Sequence, residues 1–288
     1  MTSRRDFIKQ SSLLTATVMI RPDWIPAVPK KVGVQLYTVR NEISKDPKGV
    51  LAKIAGLGFK EVETFGYNGT YWGLTGVELA DTLKSLGLTS PSGHYYAAGS
   101  FYQANWMDKF KLAIEDVVNV GQKYYVVPWM EENYRGSIDT YKKLAADFNK
   151  AAEYAKKAGV QFAYHNHDFE FKEFEGKTGY HVLVGETDPK LVKFEMDLYW
   201  VSFAGKDPIE LFKNHPGRFP LWHLKDMDNT DKKFFTEVGN GVIDFKKIFT
   251  YAKKAGLQHF YVEQDQCPGP PLASLEKSIG YIKKNLVN

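Results

Sequence analysis

Cysteine is almost absent from this chain, because Cys267 is the single one among 288 residues. One thiol excludes an intramolecular disulfide and any cysteine-rich zinc site. Cysteine usage therefore gives no direct sign of the compartment in which the protein works.

A strong charge of one sign is also lacking. The chain has 38 basic and 34 acidic residues, which give a formal net charge of +4. Several lysines come in pairs on predicted helix faces, at 156–157, 246–247 and 253–254. This pattern is typical of solvated helix surfaces and argues against a nucleic-acid-binding stripe.

A long hydrophobic run is missing from the N-terminal part of the chain. The apolar stretch at 13–20 is far shorter than the ~20 residues that a membrane span needs. It follows residues 3–9 (SRRDFIK), which resemble the twin-arginine export signal. We therefore expect an exported, periplasmic protein with a signal segment and linker at 1–30. The nearest cleavage motif is Ile25-Pro26-Ala27, so removal of the segment stays open, as does the alternative of an N-terminal helix in a cytosolic protein.

From residue 31 onward the chain repeats one pattern, an amphipathic helix that ends in glycine and is followed by a short apolar strand. Examples are the helix at 51–58 before the strand at 59–65, and the helix at 251–256 before the strand at 260–262. Glycine suits the left-handed residue that closes a helix, and the apolar runs are too short and too β-rich to be helices. The strands are predicted at 32–36, 59–65, from 88, and at 124–128, 160–164, 192–196, 220–224 and 260–262.

Eight strands that alternate with helices predict a (β/α)8 TIM barrel, an α/β fold with one domain at 31–288. Further helices at 137–158, 207–214, 243–255 and 273–285 complete the alternation. No G-x-G-x-x-G follows the first strand, which argues against a doubly wound open sheet. Long segments at 68–76, 93–105 and 169–187 follow strands, and in a barrel such loops build the rim of the active site.

Polar residues recur at the strand ends with a period of two. Alternate residues of a strand face the same side, so the last inward residue of each strand points into the barrel mouth. Burying unpaired charges there costs several kcal/mol each, so their clustering calls for a cation. The alternative is a position in solvent beyond the strand ends, above all for Lys225 and Asp265. The inward residues are Gln35, Tyr37, Glu61, Glu63, Ser92, His94, His165, His167, Glu195, Asp197, His223, Lys225, Glu263 and Asp265.

Four of these residues come from successive strands and are the predicted metal ligands: His165, Asp197, His223 and Glu263. Imidazole and carboxylate groups suit one divalent ion such as Mn2+, Co2+ or Zn2+, with open positions for two substrate oxygens. Glu170, Glu195 and His167 are expected to orient these ligands.

The substrate is expected to touch polar and aromatic side chains at the mouth. The predicted contacts are Gln35, Tyr37, Glu63, His94, Trp129 and Trp200. Aromatic rings of the rim can stack on the face of a sugar, or they can simply fill the rim. The rim aromatics are Tyr71, Trp72, Tyr95, Tyr96, Trp106, Trp129 and Trp200.

Five segments together resemble the strand motifs of the sugar phosphate isomerase/epimerase family, the xylose-isomerase-like barrels. They are the segments at 159–168 (GVQFAYHNHD), 194–200 (FEMDLYW), 221–226 (LWHLKD), 239–245 (GNGVIDF) and 260–265 (FYVEQD). The similarity covers residues 31–288 in order. The family includes ketose 3-epimerases, inosose dehydratase and endonuclease IV.

The resemblance implies a metal held by Glu, Asp, His and Glu at successive strand ends. Asp197, His223 and Glu263 match the last three, whereas His165 stands where the family has its first Glu. In the epimerases that pair of glutamates supplies two bases, so a symmetrical two-base epimerisation is put in doubt here.

The implied reaction is proton removal from a carbon next to a metal-polarised carbonyl of a sugar or keto-sugar. Glu263 is the expected base or ligand-base, with His167 or Lys225 moving a second proton. An isomerase or epimerase and a lyase or dehydratase acting on a 3-keto-glycoside or similar keto-sugar both stay open.

Two alternatives come from other functional classes. A barrel that binds a sugar without turnover is kept open by the His165 replacement. A nuclease like endonuclease IV needs about three metals and a basic groove, which the balanced charge disfavours. We expect a small-molecule partner, no nucleic acid and no stable membrane span, and we leave homo-oligomerisation open.

Overall fold

The computed structural model describes residues 29–287. The predicted export signal lies almost entirely at 1–28, outside the described residues. Eight parallel strands close into a barrel in which each strand pairs with its sequence neighbours and the last pairs with the first. The strands are β1 Gly33–Gln35, β2 Glu61–Thr64, β3 Thr89–His94, β4 Tyr124–Val127, β5 Gln161–His165, β6 Val192–Asp197, β7 Leu221–Leu224 and β8 His259–Val262. The predicted fold is confirmed.

Helices surround the barrel and connect its strands. Gly58 closes α2 with φ +92° and Gly256 closes α10 with φ +83°, the left-handed conformation that the sequence pattern predicts for both. The helices are α1 Arg40–Ile43, α2 Pro47–Leu57, α3 Gly76–Ser85, α4 Trp106–Val120, α5 Ile138–Lys157, α6 Gly179–Glu186, α7 Leu198–Phe203, α8 Pro208–Asn214, α9 Phe245–Phe249, α10 Ala252–Ala255 and α11 Pro271–Asn285.

Two predicted segments differ from the structure. The segment at 169–187 is not only a rim loop, because it also contains a short ribbon (Glu173–Phe174 with Lys177–Thr178) and α6. Helix α6 is short and apolar on most of its surface, so it lacks the polar face by which an amphipathic helix is recognised. The helix predicted at 243–255 is broken into α9 and α10.

The core lies mainly between the barrel and its helices. Phe162 of β5, for example, packs against the rings of Phe110, Phe148 and Tyr125. Inside the barrel, at the carboxyl ends of the strands, buried polar side chains replace this apolar packing. No helix within residues 29–287 has both the length and the apolar character needed to cross a membrane.

Candidate functional site

A cavity of about 600 Å³ opens at the carboxyl ends of the barrel strands. Its walls are aromatic and basic, with Trp129, Trp200 and Phe169 among the rings and Arg40 and Arg135 among the cations. Catalytic sites of (β/α)8 barrels occupy this end because the strand ends and the loops after them converge there.

Three of the four predicted metal ligands lie together at the floor of this cavity. Asp197 ends β6, His223 lies in β7 and Glu263 follows β8, and one donor atom from each lies within 4.8 Å of the others. His223 Nδ1 is 2.6 Å from Glu263 Oε2. The fourth predicted ligand, His165, borders this group, with its Nε2 3.4 Å from Asp197 Oδ2.

Lys225 lies between the carboxylates of this group. Its Nζ is 2.9 Å from Asp197 Oδ2, 2.7 Å from Glu263 Oε2 and 2.9 Å from Asp265 Oδ1. The alternative that Lys225 points into solvent is therefore wrong, because its side chain is 3% exposed. Asp265 is also drawn inward by this ammonium and is 20% exposed.

A second polar group lies next to the first, around the carboxylate of Glu195. Glu195 Oε2 is 2.6 Å from His94 Nε2, 2.9 Å from His165 Nδ1 and 3.2 Å from His223 Nε2. Glu63 Oε2 lies 2.6 Å from the same His223 nitrogen. The two groups therefore share His223, which presents one ring nitrogen to each.

Electrostatics keep the groups of the floor charged. Burial alone would raise the pKa of Glu263, but the charges of Lys225 and His223 hold it well below its usual value. Burial likewise opposes protonation of Lys225, yet Asp197, Asp265 and Glu263 raise its pKa well above the ordinary one. Both groups stay ionised because each is buried next to opposite charges, whose attraction outweighs the cost of burial.

The donor set fits a divalent cation. Four carboxyl groups, those of Glu63, Glu195, Asp197 and Glu263, are buried at the floor, and the ammonium of Lys225 contacts two of them, Asp197 and Glu263. The remaining positive charge has to come from protonated histidines or from a bound ion. Carboxylate oxygens mixed with imidazole nitrogens are the ligands that Mn2+, Co2+ and Zn2+ use.

His167 is the histidine that the cavity holds in a neutral state. Burial and the charges of His165 and Lys225 keep its pKa well below the usual value. Its ring stacks on Phe169 and meets the edge of Trp129, and Nδ1 has no hydrogen-bond partner among the described residues. A neutral imidazole with a free nitrogen can accept or donate a proton at the substrate.

The predicted substrate contacts divide into two sets. Tyr37 and His94, predicted from strand parity, line the cavity, as do the rim aromatics Trp129 and Trp200. Gln35 and Glu63 are not among the residues that line it, so their contact with a substrate stays a prediction. Both are fully buried and bond to each other, Gln35 Nε2 to Glu63 Oε2 at 2.8 Å, because their strand positions lie below the cavity floor.

Of the rim aromatics, Tyr95 also lines the cavity beside Trp129 and Trp200. Tyr71 is fully enclosed, whereas Trp72, Tyr96 and Trp106 pack against the core. Packing at the rim therefore accounts for most of these aromatics, and sugar stacking remains a role for the ones that line the cavity.

Glu61 points toward the opposite end of the barrel, where its carboxylate bonds to His259 at 2.7 Å.

Sequence reasoning missed the cationic part of the cavity wall. The guanidinium of Arg135 lies 3.6 Å from the ring centre of Phe169 and 4.3 Å from that of Trp129, and it donates to Met130 O. Arg135 follows the 3-10 turn Glu132–Tyr134, outside any strand. The period-two rule that found the other residues therefore does not apply to it.

Glu170 supports the loop after β5. One carboxyl oxygen accepts from Tyr164 Oη at 2.6 Å and the other from the backbone N–H of His167 at 2.8 Å. This contact fixes the direction in which His167 leaves the strand. Burial raises the pKa of Glu170 to about 7.

The raised pKa of Glu170 predicts that the unfolding free energy of the protein falls as the pH rises, and that Glu170→Gln lacks this part of the pH dependence. The folded state holds the Glu170 proton up to about pH 7, whereas the unfolded chain loses it near its ordinary pKa of 4.5. The native chain thus loses about 3 kcal/mol of unfolding free energy from this group as the pH rises between those values. Urea denaturation at pH 5 and pH 8 measures this change. We expect Glu170→Gln to be stabilised relative to the parent at pH 8, and an equal pH response in both proteins would contradict the assignment.

Comparison with known proteins gives the same architecture. A family model described as a xylose isomerase-like TIM barrel matches residues 51–285. A crystal structure of a sugar phosphate isomerase/epimerase from Parabacteroides distasonis superposes with a TM-score of 0.79 at 28% identity, over 91% of this chain and 96% of that one. A structure named as the IolI protein with a bound zinc atom superposes with a TM-score of 0.68 at 18% identity, over 89% of this chain and 96% of its own.

Curated relatives are named inosose dehydratase. The one from Geobacillus thermodenitrificans is 25% identical over 212 residues, which cover 62% of this chain and 70% of the relative. One from Lacticaseibacillus casei is 25% identical over 50% of this chain and 54% of the relative. The chain thus spans only about half the length of some of the curated relatives it matches.

Proposed function

The chain belongs to the xylose isomerase-like TIM barrel family, and from this premise we propose that it is a divalent-metal-dependent enzyme acting on a sugar or keto-sugar. The observation that carries the proposal is the convergence of Asp197, His223 and Glu263 at the floor of an aromatic-walled cavity. The reaction class is proton removal from a carbon next to a carbonyl, as in an isomerase, an epimerase or a lyase.

Asp197, His223 and Glu263 would hold the ion, with His165 beside them. A bound divalent ion would supply Lewis-acid polarisation of the substrate carbonyl. The same residues are already fixed by the protein: Asp197 Oδ1 accepts from the backbone N–H groups of Tyr199 and Trp200, which leaves Oδ2 directed into the site. Such support holds ligands in position before binding.

The chain's own groups divide the proton transfers. His167, neutral and facing the cavity, accepts or returns a proton at the substrate. Lys225 stays protonated, so its positive charge stabilises negative charge that develops on a substrate oxygen in the cavity. Glu263 is ionised and serves as ligand-base, its low pKa favouring the ligand part of that role.

Within this class a lyase is favoured over a symmetrical epimerase. The curated relatives are named inosose dehydratase. In addition, His165 stands where the family pattern has a Glu, and its Nδ1 and Nε2 face Glu195 and Asp197. A single base beside an acid suffices for elimination, whereas a two-base epimerase needs a base on each face of the carbon.

The substrate is proposed to be an unphosphorylated sugar or keto-sugar that the protein meets after export. Trp129 is 40% exposed in the cavity wall and faces the open space with Trp200, so flat sugar faces can stack there. The export proposal depends on residues 3–9 alone, and a periplasmic location excludes most phosphorylated intracellular sugars.

Deuterium exchange tests the proposal. The metal-free protein, reloaded with Mn2+, Co2+ or Zn2+, is incubated in D2O with a panel of keto-sugars, including 3-keto-glycosides, and the sugars are followed by NMR. Metal-dependent deuterium uptake next to a carbonyl, or loss of a leaving group, supports the enzyme. Saturable sugar binding without exchange under every metal would instead favour a sugar-binding barrel.

A further inference from the structure

We propose that the barrel holds a second divalent cation, bound by His94, His165, Glu195 and His223 below the cavity floor. This site differs from the one formed by Asp197, His223 and Glu263. The two ions would share only His223, each using a different ring nitrogen.

The spacing of the donor atoms supports a metal site. Three imidazole nitrogens lie 2.6 to 3.2 Å from a single oxygen, Oε2 of Glu195, and one donor atom from each of the four residues lies within 4.8 Å of the others. Around a tetrahedral zinc ion with bonds of about 2.0–2.1 Å, neighbouring donors are about 3.3 Å apart. The site therefore needs only small side-chain shifts to accept an ion.

The surroundings of Glu195 point the same way. Its second oxygen, Oε1, is buried and has no hydrogen-bond partner among the described residues. An unpaired carboxylate oxygen in a fully buried position is costly unless a further positive group binds it. Glu63, held by Gln35 and Ser92, lies 2.6 Å from His223 Nε2 and places a further carboxyl oxygen beside the site.

An ion can reach this site from the cavity. His94 and His165 both line the cavity, although His94 is 7% and His165 2% exposed. The deeper group therefore connects to solvent through the same opening that admits the substrate.

The donor chemistry distinguishes the two ions. Three nitrogens and one carboxylate suit Zn2+ or Co2+ in tetrahedral geometry, whereas two carboxylates and one imidazole suit a harder ion such as Mn2+. With both sites filled, His223 would offer one ring nitrogen to each ion, and its ring protons would pass to solvent.

Cobalt loading of the full chain tests the second site. Metal-free protein is dialysed against Co2+, and bound cobalt is measured by mass spectrometry together with the visible absorption of the protein. We expect about two ions per chain and the intense visible bands of tetrahedral cobalt. His94→Asn should lose one ion and these bands, whereas Asp197→Asn should lose one ion and keep the bands.

His259→Asn is the matched control, because His259 also pairs with a glutamate but at the opposite end of the barrel. It should bind as much cobalt as the parent. If His94→Asn does not fold, as judged by circular dichroism, Glu195→Gln removes the same site. A parent that binds one ion, with content and bands unchanged in both of these variants, overturns the second site while leaving the proposed function intact. A parent that binds one ion and shows the tetrahedral bands, with both unchanged in Asp197→Asn, overturns the proposed function and not this site.

Discussion

Replacing Glu263 with glutamine is expected to lower the turnover rate about 10²- to 10⁴-fold, the range for loss of a positioned proton-transfer group. The substrate is the keto-sugar that shows metal-dependent deuterium exchange or elimination in the panel described above. Glutamine keeps the size of the side chain but removes the charge that contacts His223 Nδ1 at 2.6 Å and Lys225 Nζ at 2.7 Å. The same change removes a carboxylate ligand from the ion proposed at Asp197, His223 and Glu263. Initial rates at saturating Mn2+, Co2+ and Zn2+, together with bound metal, measure both effects.

Asp265→Asn is the control for this prediction. Asp265 also contacts Lys225, at 2.9 Å, but it is partly exposed and lies outside the metal-ligand group. Its replacement should leave bound metal unchanged and affect the rate much less. If Glu263→Gln turned over substrate as fast as Asp265→Asn, Glu263 would have no place in the chemistry.

Replacing Lys225 with methionine is expected to lower the unfolding free energy of the metal-free protein by about 3–5 kcal/mol, because it leaves buried carboxylates without their counter-ion. Methionine preserves most of the volume, so the loss reports charge rather than packing. Added Mn2+ should restore part of the stability by binding the carboxylates of Asp197 and Glu263 in the folded state. Urea denaturation with chelator and with Mn2+ gives the two values.

Lys277→Met provides the comparison. Lys277 bonds to Glu237 at 3.0 Å, but its side chain is 63% exposed. Glu237 is buried but also bonds to Ser274 Oγ at 3.1 Å and to Asn240 Nδ2 at 3.2 Å, so it keeps partners when the largely solvated ammonium is removed. This variant should therefore lose far less stability than Lys225→Met. A Lys225→Met protein as stable as Lys277→Met, without metal, would show that the carboxylates of the floor are not charged together.

The barrel could be predicted from the chain because its signals are local. The glycines that end α2 and α10 mark helix ends, and the short apolar runs between them mark strands. Helix α6 is not predicted from the sequence, because most of its residues are apolar and show no alternation of apolar and polar residues with a period of 3.6. Residues 1–28 remain a matter of sequence alone, so export stays a prediction.

The alternation of residues along the strands also determined which side chains face the barrel interior. His94, His165, Glu195, Asp197, His223, Lys225 and Glu263 meet there as expected. Only the tertiary structure decided which of them touch, because contacts across the barrel depend on strand register and tilt, which no local pattern encodes.

The register of the strands places Gln35 and Glu63 below the cavity and encloses Lys225 among carboxylates. It also brings His223 between two polar groups, with one ring nitrogen facing each. The loop residue Arg135 came to the cavity wall for the same reason, because its position follows from packing on Phe169 and Trp129 and not from any period in the sequence.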